Sequence, residues 1–459
     1  MIIFIFLFLV FKNQHLLPLK ATFGGWDNFR GVEIFFDFNS LLFIASANIV
    51  FFSVLLYSLS LKRDWKYYFL INLLLTNLIC LFVANDLFNV YVTLELLSLL
   101  SYLLISFQMK TRQIWASLKY MLLGAIGFSF LLLGIALIYN QTGTLNYSVL
   151  KTYDNISNLP LILIFTALLI KSGVFLFSMW LPSAHSEAEA TISAILSAII
   201  VKAGLFHILR LGNIVNSEFI NNYLLTVGII SAVAGAYFAI KQKDLKLILA
   251  FSTMSQTGFV LEGWKDFGAY YAFSHSLFKS LLFLSAGYYA SLFKSRNITG
   301  KKETVPLILY LSLWVGFLSI SGIPLFAGSF YKHEIMVHCN VTGHIALVAA
   351  TLGSVFSISR IIFNLKPSKK IFMHISKDLS LIFLCCVSVI FGFSTGIDHL
   401  NIKEISEPLI ITLFGFLLYT FLKPVVKLQY PYKIFKLTNV MTIYIFIIGL
   451  LATMTYFVF

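Results

Sequence analysis

Five residues of proton-carrying types stand in this sequence where chains seldom place them. Glu95 lies in the run LFNVYVTLELLSLLSYLLISF, Lys171 in LILIFTALLIKSGVFLF, Lys202 in TISAILSAIIVKAGLFHILRL, and His275 with Lys279 in AYYAFSHSLFKSLLFLSAG. Glu95, Lys171, Lys202 and Lys279 sit some eight or more residues from either end of an apolar stretch, and a charge at a bilayer centre costs a few kcal/mol or more. A sixth residue, Lys332, follows a Gly/Pro interruption together with His333 and Glu334. For Lys332 and Lys119, both near segment ends, snorkelling to an interface competes as an explanation. For the others the competing reading is an ion pair that pins two helices together.

The chemistry such residues offer is proton transfer. Desolvation of a buried lysine opposes its charge, while a carboxylate about 5 Å away favours it by roughly 3 kcal/mol at an effective dielectric near 20. The two effects nearly cancel. A lysine so placed releases or takes up a proton when its carboxylate moves by a few ångströms, which is a relay with an electrostatic switch. Glu95 and Lys171 are the expected pair. Other chemistries lack their signatures: there is no G-x-G-x-x-G after a strand-like run, no G-x-x-x-x-G-K-[ST], no C-x-x-C-H and no Ser/His/Asp arrangement on a soluble scaffold. No cofactor is expected. No metal is expected either, because the spacing of His333, His338 and His344 does not put two ligands on one helical face, and the four cysteines have no zinc or iron–sulfur spacing.

The elements that must position these groups are membrane helices. Of 459 residues, 59% are apolar and 11% charged, about half the charge of a soluble domain, so a soluble globular protein is excluded. Apolar segments are read near 1–11, 38–61, 68–84, 87–107, 117–139, 159–180, 190–211, 221–240, 244–262, 267–293, 305–337 (interrupted), 343–363, 378–397, 405–422 and 437–458. The expectation is one all-α, polytopic membrane domain over residues 1–459 with 14 to 15 transmembrane helices, the first segment being short for a span. No basic run or groove-reading motif makes the net charge of +14 a nucleic-acid signal. Alternate loops instead hold 20 and 6 Lys/Arg, which puts the basic loops in the cytoplasm and the C-terminus outside. A cleaved signal peptide is not expected, since MIIFIFLFLVF lacks a basic start and a small-residue cleavage site.

Two segments are punctuated alike. K-S-G-V-F-L-F-S-M-W-L-P runs from Lys171 to Pro182, and I-S-G-I-P-L-F-A-G-S-F-Y-K from Ile320 to Lys332. With Ser172 set against Ser321, Ser-Gly and Leu-Phe coincide at an offset of 149. Paired interruptions in the two halves of a chain point to inverted repeats with discontinuous helices, and Gly173, Gly322 and Pro324 are the expected breaks.

The stretches Asn85–Tyr102 (NDLFNVYVTLELLSLLSY), Trp180–Arg210 (WLPSAHSEAEATISAILSAIIVKAGLFHILR), Asp244–Gly258 and His275–Gly287 resemble the antiporter-like membrane subunits shared by Mrp-type cation/proton antiporters and respiratory complex I. The likeness covers roughly residues 25 to 365. The segment Gly24–Glu33 with Asp37 looks more like the D-type Mrp subunit, and the long C-terminal arm of the largest complex I antiporter-like subunit is absent. The resemblance implies a relay in which Glu95 is the switch, Lys171 its partner, Lys202 the next carrier, His275 and Lys279 the centre and Lys332 the terminal lysine. It also implies a first half-channel near 68–211, a second near 221–363, C-terminal helices at 378–458, and partner membrane subunits. His185, Glu187, Glu189 and Glu334 are the expected proton or cation access residues.

The sequence departs from the family in two places. It looks shortened at its start, and it has Glu189 where Pro is usual after H-x-x-A, adding negative charge at the mouth of the broken helix. The leading expectation is a Na⁺/proton antiporter subunit of the inner membrane. The alternatives are a proton-pumping subunit of NADH–quinone oxidoreductase or of a membrane-bound hydrogenase, which would be part of an enzyme without its own redox centre, and a non-transporting scaffold.

Overall fold

The computed structural model describes residues 17–422 apart from 28, 30, 154–155, 216, 299–301, 370–372 and 397–401. The expected segments at 1–11 and 437–458 lie outside the described residues. Every other expected segment is helical. In chain order the helices longer than one turn are α1 (Phe38–Ser58), α2 (Trp65–Val83), α3 (Leu87–Ile105), α4 (Thr111–Thr142), α5 (Asn158–Lys171), α6 (Trp180–Glu187), α7 (Ala190–Gly212) and α8 (Glu218–Lys241). They continue with α9 (Leu245–Glu262), α10 (Gly268–Phe293), α11 (Leu307–Ser321), α12 (Ser329–His338), α13 (Val341–Phe363), α14 (Ile375–Gly396) and α15 (Ile402–Leu422). Among the described residues nine helices are long and apolar enough to cross a membrane. The protein is a polytopic, all-α membrane protein.

Polar residues set where the helices begin. Asp37 caps α1 in a reciprocal box with Ser40, and Asp64, Asp86, Asp244 and Asn340 each accept backbone N–H groups at the starts of α2, α3, α9 and α13. Such caps satisfy donors that the first turn leaves without partners. Two small sheets tie the loops: an antiparallel pair, β1 (Leu19–Thr22) with β2 (Glu33–Phe36), and a parallel pair, β3 (Glu303–Val305) with β4 (Leu365–Pro367).

The loop contacts reproduce the alternation read from charge. At one end Glu189 meets Arg63 and Gln108, Arg296 pairs with Asp244 at 3.2 Å, and β3 pairs with β4, all between loops of the Lys/Arg-rich set. At the other end Asn146 donates to Glu33 at 2.9 Å and Ser217 donates to Asn158 at 3.0 Å. The core lies around α7, whose membrane-length window is wholly buried within the chain. A lysine on this helix cannot snorkel.

Candidate functional site

Both interruptions occur where expected, and their backbones repeat each other. Gly173 and Gly322 adopt φ of 64° and 84°, and Leu176 and Leu325 adopt 76° and 71°. Val174 N–H donates to Leu169 O at 3.4 Å and Ile323 N–H to Leu318 O at 3.1 Å. Gly173 N–H donates to Ile170 O at 3.3 Å and Gly322 N–H to Ser319 O at 3.2 Å. A third bond, Phe177 N–H to Val174 O, is matched by Phe326 N–H to Ile323 O. Each pair keeps the offset of 149. This is the glycine-terminated helix ending in which bonds from the two residues past the helix cap its last carbonyls. A left-handed leucine costs about 1–2 kcal/mol, and both loops hold one at the same place.

The two breaks differ in how they satisfy the polar groups they free. In the first, Trp180 Nε1 donates to Ile170 O at 2.9 Å and Phe175 N–H donates to Ser231 Oγ at 3.1 Å. In the second, the lysine ammonium does the capping: Lys332 Nζ donates to Ile320 O at 2.8 Å. Pro324 occupies the place of Phe175 and has no N–H to satisfy. The Lys332 ammonium also lies 4.8 Å from the Phe259 ring centroid. A cation at a helix C-terminus faces the negative end of the helix dipole.

Lys171 is thereby left to face another way. Its Nζ donates to Ser98 Oγ and to Tyr120 Oη, each at 2.6 Å, and Tyr120 is itself stacked on Trp180 at 4.1 Å. The expected Glu95–Lys171 ion pair is not formed: among the described residues no carboxylate lies within 4 Å of the Lys171 ammonium. Glu95 is exposed on the chain surface rather than buried, in an open cavity of about 390 Å³ between α3 and α4 lined by Tyr91, Ser98, Tyr102, Met121 and Ser129 among others. The physical reason is helical phase. On α3 Leu94 and Ser98 point into the bundle, and Glu95 falls one position round from Leu94. Ser98 lines the Glu95 cavity and accepts from Lys171, so it joins the two.

The structure brings a central group together. Helix α7 contains a π turn at Leu196–Ile200, the kind of local unwinding that often marks functional positions. Its carbonyls are turned to side chains: Lys202 Nζ donates to Ser197 O and Ser276 Oγ to Ala198 O, both at 2.6 Å. Lys279 Nζ donates to Leu249 O at 3.2 Å and to Ser252 Oγ. Lys202 and Lys279 lie within electrostatic reach of one another and of His275, and His185 is within reach of both and of Lys246. His185 and His275 are fully buried, and neither ring has a hydrogen-bonded nitrogen. His185 stacks on Phe283 at 4.7 Å.

Glu189 does not leave an open negative charge at the mouth of the first break. Its carboxylate accepts from Arg63 and from Gln108. Burial pushes this carboxyl up from its ordinary range, opposed by the Arg63 guanidinium and by Lys246 and Lys110. The Glu189 backbone, with φ of −61° and ψ of 159°, is one that proline adopts, so this chain fixes with side-chain contacts a bend that a proline ring fixes covalently. Glu187 accepts from Gln113 through its carbonyl at 3.2 Å, and Glu334 pairs with His338 at 3.5 Å.

Three participants escaped the sequence reading. Ser98 and Tyr120 hold Lys171, and Lys246, 6% exposed, donates to Ala188 O beside Glu189. Only Lys246 left a signal, as the last charge of D-L-K before an apolar run. A serine or tyrosine in a membrane helix is too ordinary to single out.

Fold and site together define a polytopic membrane protein built on two interrupted helices with buried ammonium groups at and between the breaks. Residues 84–357 match the NADH:quinone oxidoreductase/Mrp antiporter transmembrane family, and the chain belongs to that family. Similar proteins include putative antiporter subunits mnhD2. That of Staphylococcus saprophyticus is 27% identical over 384 residues, 78% of this chain and 76% of its own length. That of Staphylococcus aureus is 26% identical over 383 residues, 77% of this chain and 76% of its own length. Two solved structures share the fold. A chain of the membrane-bound sulfane sulfur reductase, an archaeal respiratory membrane complex, superposes with a TM-score of 0.79 at 24% identity, covering 89% of this chain and 91% of that one. A chain of the Mrp complex from Dietzia sp. DQ12-45-1b gives 0.75 at 18% identity, covering 93% and 94%.

Proposed function

We propose that this chain, an antiporter-type membrane subunit, is the proton-translocating subunit of a multisubunit antiporter that exchanges protons for Na⁺. Protons pass along Glu95, Lys171, Lys202, His275, Lys279 and Lys332. Residues 68–211 form one half-channel, residues 221–363 the other, and the helices of 378–458 flank them. The complex sits in the inner membrane with the basic loops cytoplasmic and with other membrane subunits as neighbours. His185, Glu187 and Glu189 serve access at the first break and Glu334 at the second.

The observation that carries this reading is the repeated broken-helix backbone with a lysine at each break and buried Lys202, His275 and Lys279 between them. Buried cations away from carboxylates are costly, and a transport role explains their presence where a scaffold role does not. In Proposed working order, Glu95 acts through Ser98: as the carboxylate approaches Lys171 the ammonium is favoured, and as it withdraws the proton passes inward.

The test is Na⁺-driven, dye-reported proton flux in vesicles containing the reconstituted complex. Lys279→Ala and Lys202→Ala should each abolish flux with the complex still assembled; wild-type flux from either would defeat the relay. A redox-driven version uses the same fold, and subunits that co-purify with the chain separate the two. Small antiporter membrane subunits support the exchange reading, whereas flavin and iron–sulfur subunits support the redox one.

A further inference from the structure

Beyond Lys332 the second broken helix runs toward the end of the bundle that carries few basic residues, and three titratable side chains from three helices meet there. His333 Nδ1 on α12 lies 3.5 Å from Glu407 Oε2 on α15, and His344 Nε2 on α13 lies 3.5 Å from Glu407 Oε1. The His344 Nδ1 is 2.8 Å from Met336 O. A carbonyl oxygen only accepts, so Nδ1 carries a hydrogen. In a neutral His344 the other nitrogen, Nε2, therefore presents a lone pair to a carboxylate that has only lone pairs to offer. His333 Nδ1 is buried and has no hydrogen-bonded partner, and it faces the second oxygen of the same carboxylate.

A neutral His344 therefore faces the Glu407 carboxylate lone pair to lone pair, and a proton added at Nε2 turns that contact into a charge-assisted one, while His333 Nδ1 can donate to the second oxygen. We propose that His333, His344 and Glu407 form a proton-binding site that exchanges protons between Lys332 and the water at that end of the bundle. The exposure is graded as such a path requires: 1% for Lys332, then side-chain values of 10% for His333, 31% for Glu407 and 38% for His344. Glu407 lies outside the family-matched residues 84–357, so α15 adds a component that the matched region does not contain.

Among the described residues the other charged groups near the site are few. On α12 they are Lys332, committed to Ile320 O, and Glu334, which pairs with His338 at 3.5 Å. Glu262 ends α9, Lys265 and Asp266 follow it in the next loop, and α14 has no charged residue between Leu379 and Gly396. In sequence, Lys403 and Glu404 precede Glu407 by one turn.

This inference rests on the reading of Lys332 as a proton carrier, and its test separates the two. In the reconstituted complex, Glu407→Gln and His344→Gln should each slow proton flux by about tenfold and flatten its dependence on the pH of the adjoining compartment. Lys332→Ala should abolish flux. Unchanged rate and pH profile in both site variants, with Lys332→Ala inactive, would overturn the site alone; wild-type flux from Lys332→Ala would overturn the relay. An assembly-independent check is the infrared difference spectrum of the complex between pH 5.5 and 7.5. Glu407→Gln should remove carboxylate intensity and alter the histidine bands, and spectra identical to wild type would overturn the proposal.

Discussion

The two breaks share a backbone and divide in their chemistry. At the first, neutral groups satisfy the freed backbone: the Trp180 indole donates to Ile170 O and Ser231 Oγ accepts from Phe175 N–H. At the second, the Lys332 ammonium takes Ile320 O and Pro324 removes the donor that would need a partner. Where a neutral group caps, the lysine is left to donate to Tyr120 and to Ser98, which lines the Glu95 cavity. Where the lysine caps, it is held against the helix end. One backbone device thus accompanies a lysine held by hydroxyl groups and a lysine held against a helix end.

The comparison breaks most readily at the glycines. Gly173→Val and Gly322→Val each force a β-branched residue into the left-handed region, and each should destabilise the complex by about 2 kcal/mol or more in thermal unfolding. Near-equal losses support equivalent loops, whereas a loss at only one removes the equivalence. The next effect sharpens the difference in capping. Trp180→Phe keeps the stack on Tyr120 and removes the indole from Ile170 O, which still accepts from Gly173 N–H, so it should cost about 0.5–1.5 kcal/mol and retain proton flux. Lys332→Met removes the ammonium donor from Ile320 O and also stops flux. Equal flux from the two variants would mean that Lys332 only caps.

A smaller effect is expected at the link between the cavity and Lys171. Ser98→Ala removes the hydroxyl and should slow proton flux about tenfold by misplacing the ammonium, without loss of assembly. The smallest is expected at Glu189→Pro. The backbone there already suits proline, and the lost contacts with Arg63 and Gln108 are partly exposed, so stability should change by less than about 1 kcal/mol. A large loss in thermal stability would show that the side-chain tie does more than replace a ring.

Much of this was legible in the sequence, because the signals were local or cumulative. Segment order followed from hydropathy, the pairing of loop ends from alternate Lys/Arg counts, and both breaks from Ser-Gly and Leu-Phe at one offset. The lysines were legible through the cost of a charge in an apolar run. What was not legible depended on helix rotation and on long-range meetings. Glu95 reads as buried from its neighbours, yet its phase on α3 sends it to the surface. The tie from Glu189 to Arg63 and Gln108 joins loops 126 and 81 residues apart. His333, His344 and Glu407 carry no spacing rule because they come from three helices.

The central claim is that a proton passes through Lys171 under control of Glu95. Na⁺-driven proton flux in vesicles with the assembled complex, measured for Lys171→Ala beside Glu95→Gln and Glu95→Asp, tests it most directly. No flux is expected from Lys171→Ala or from Glu95→Gln, since the latter keeps a hydrogen-bonding group but loses the switching charge, and partial flux is expected from Glu95→Asp. Wild-type flux from Lys171→Ala in an intact complex would contradict it.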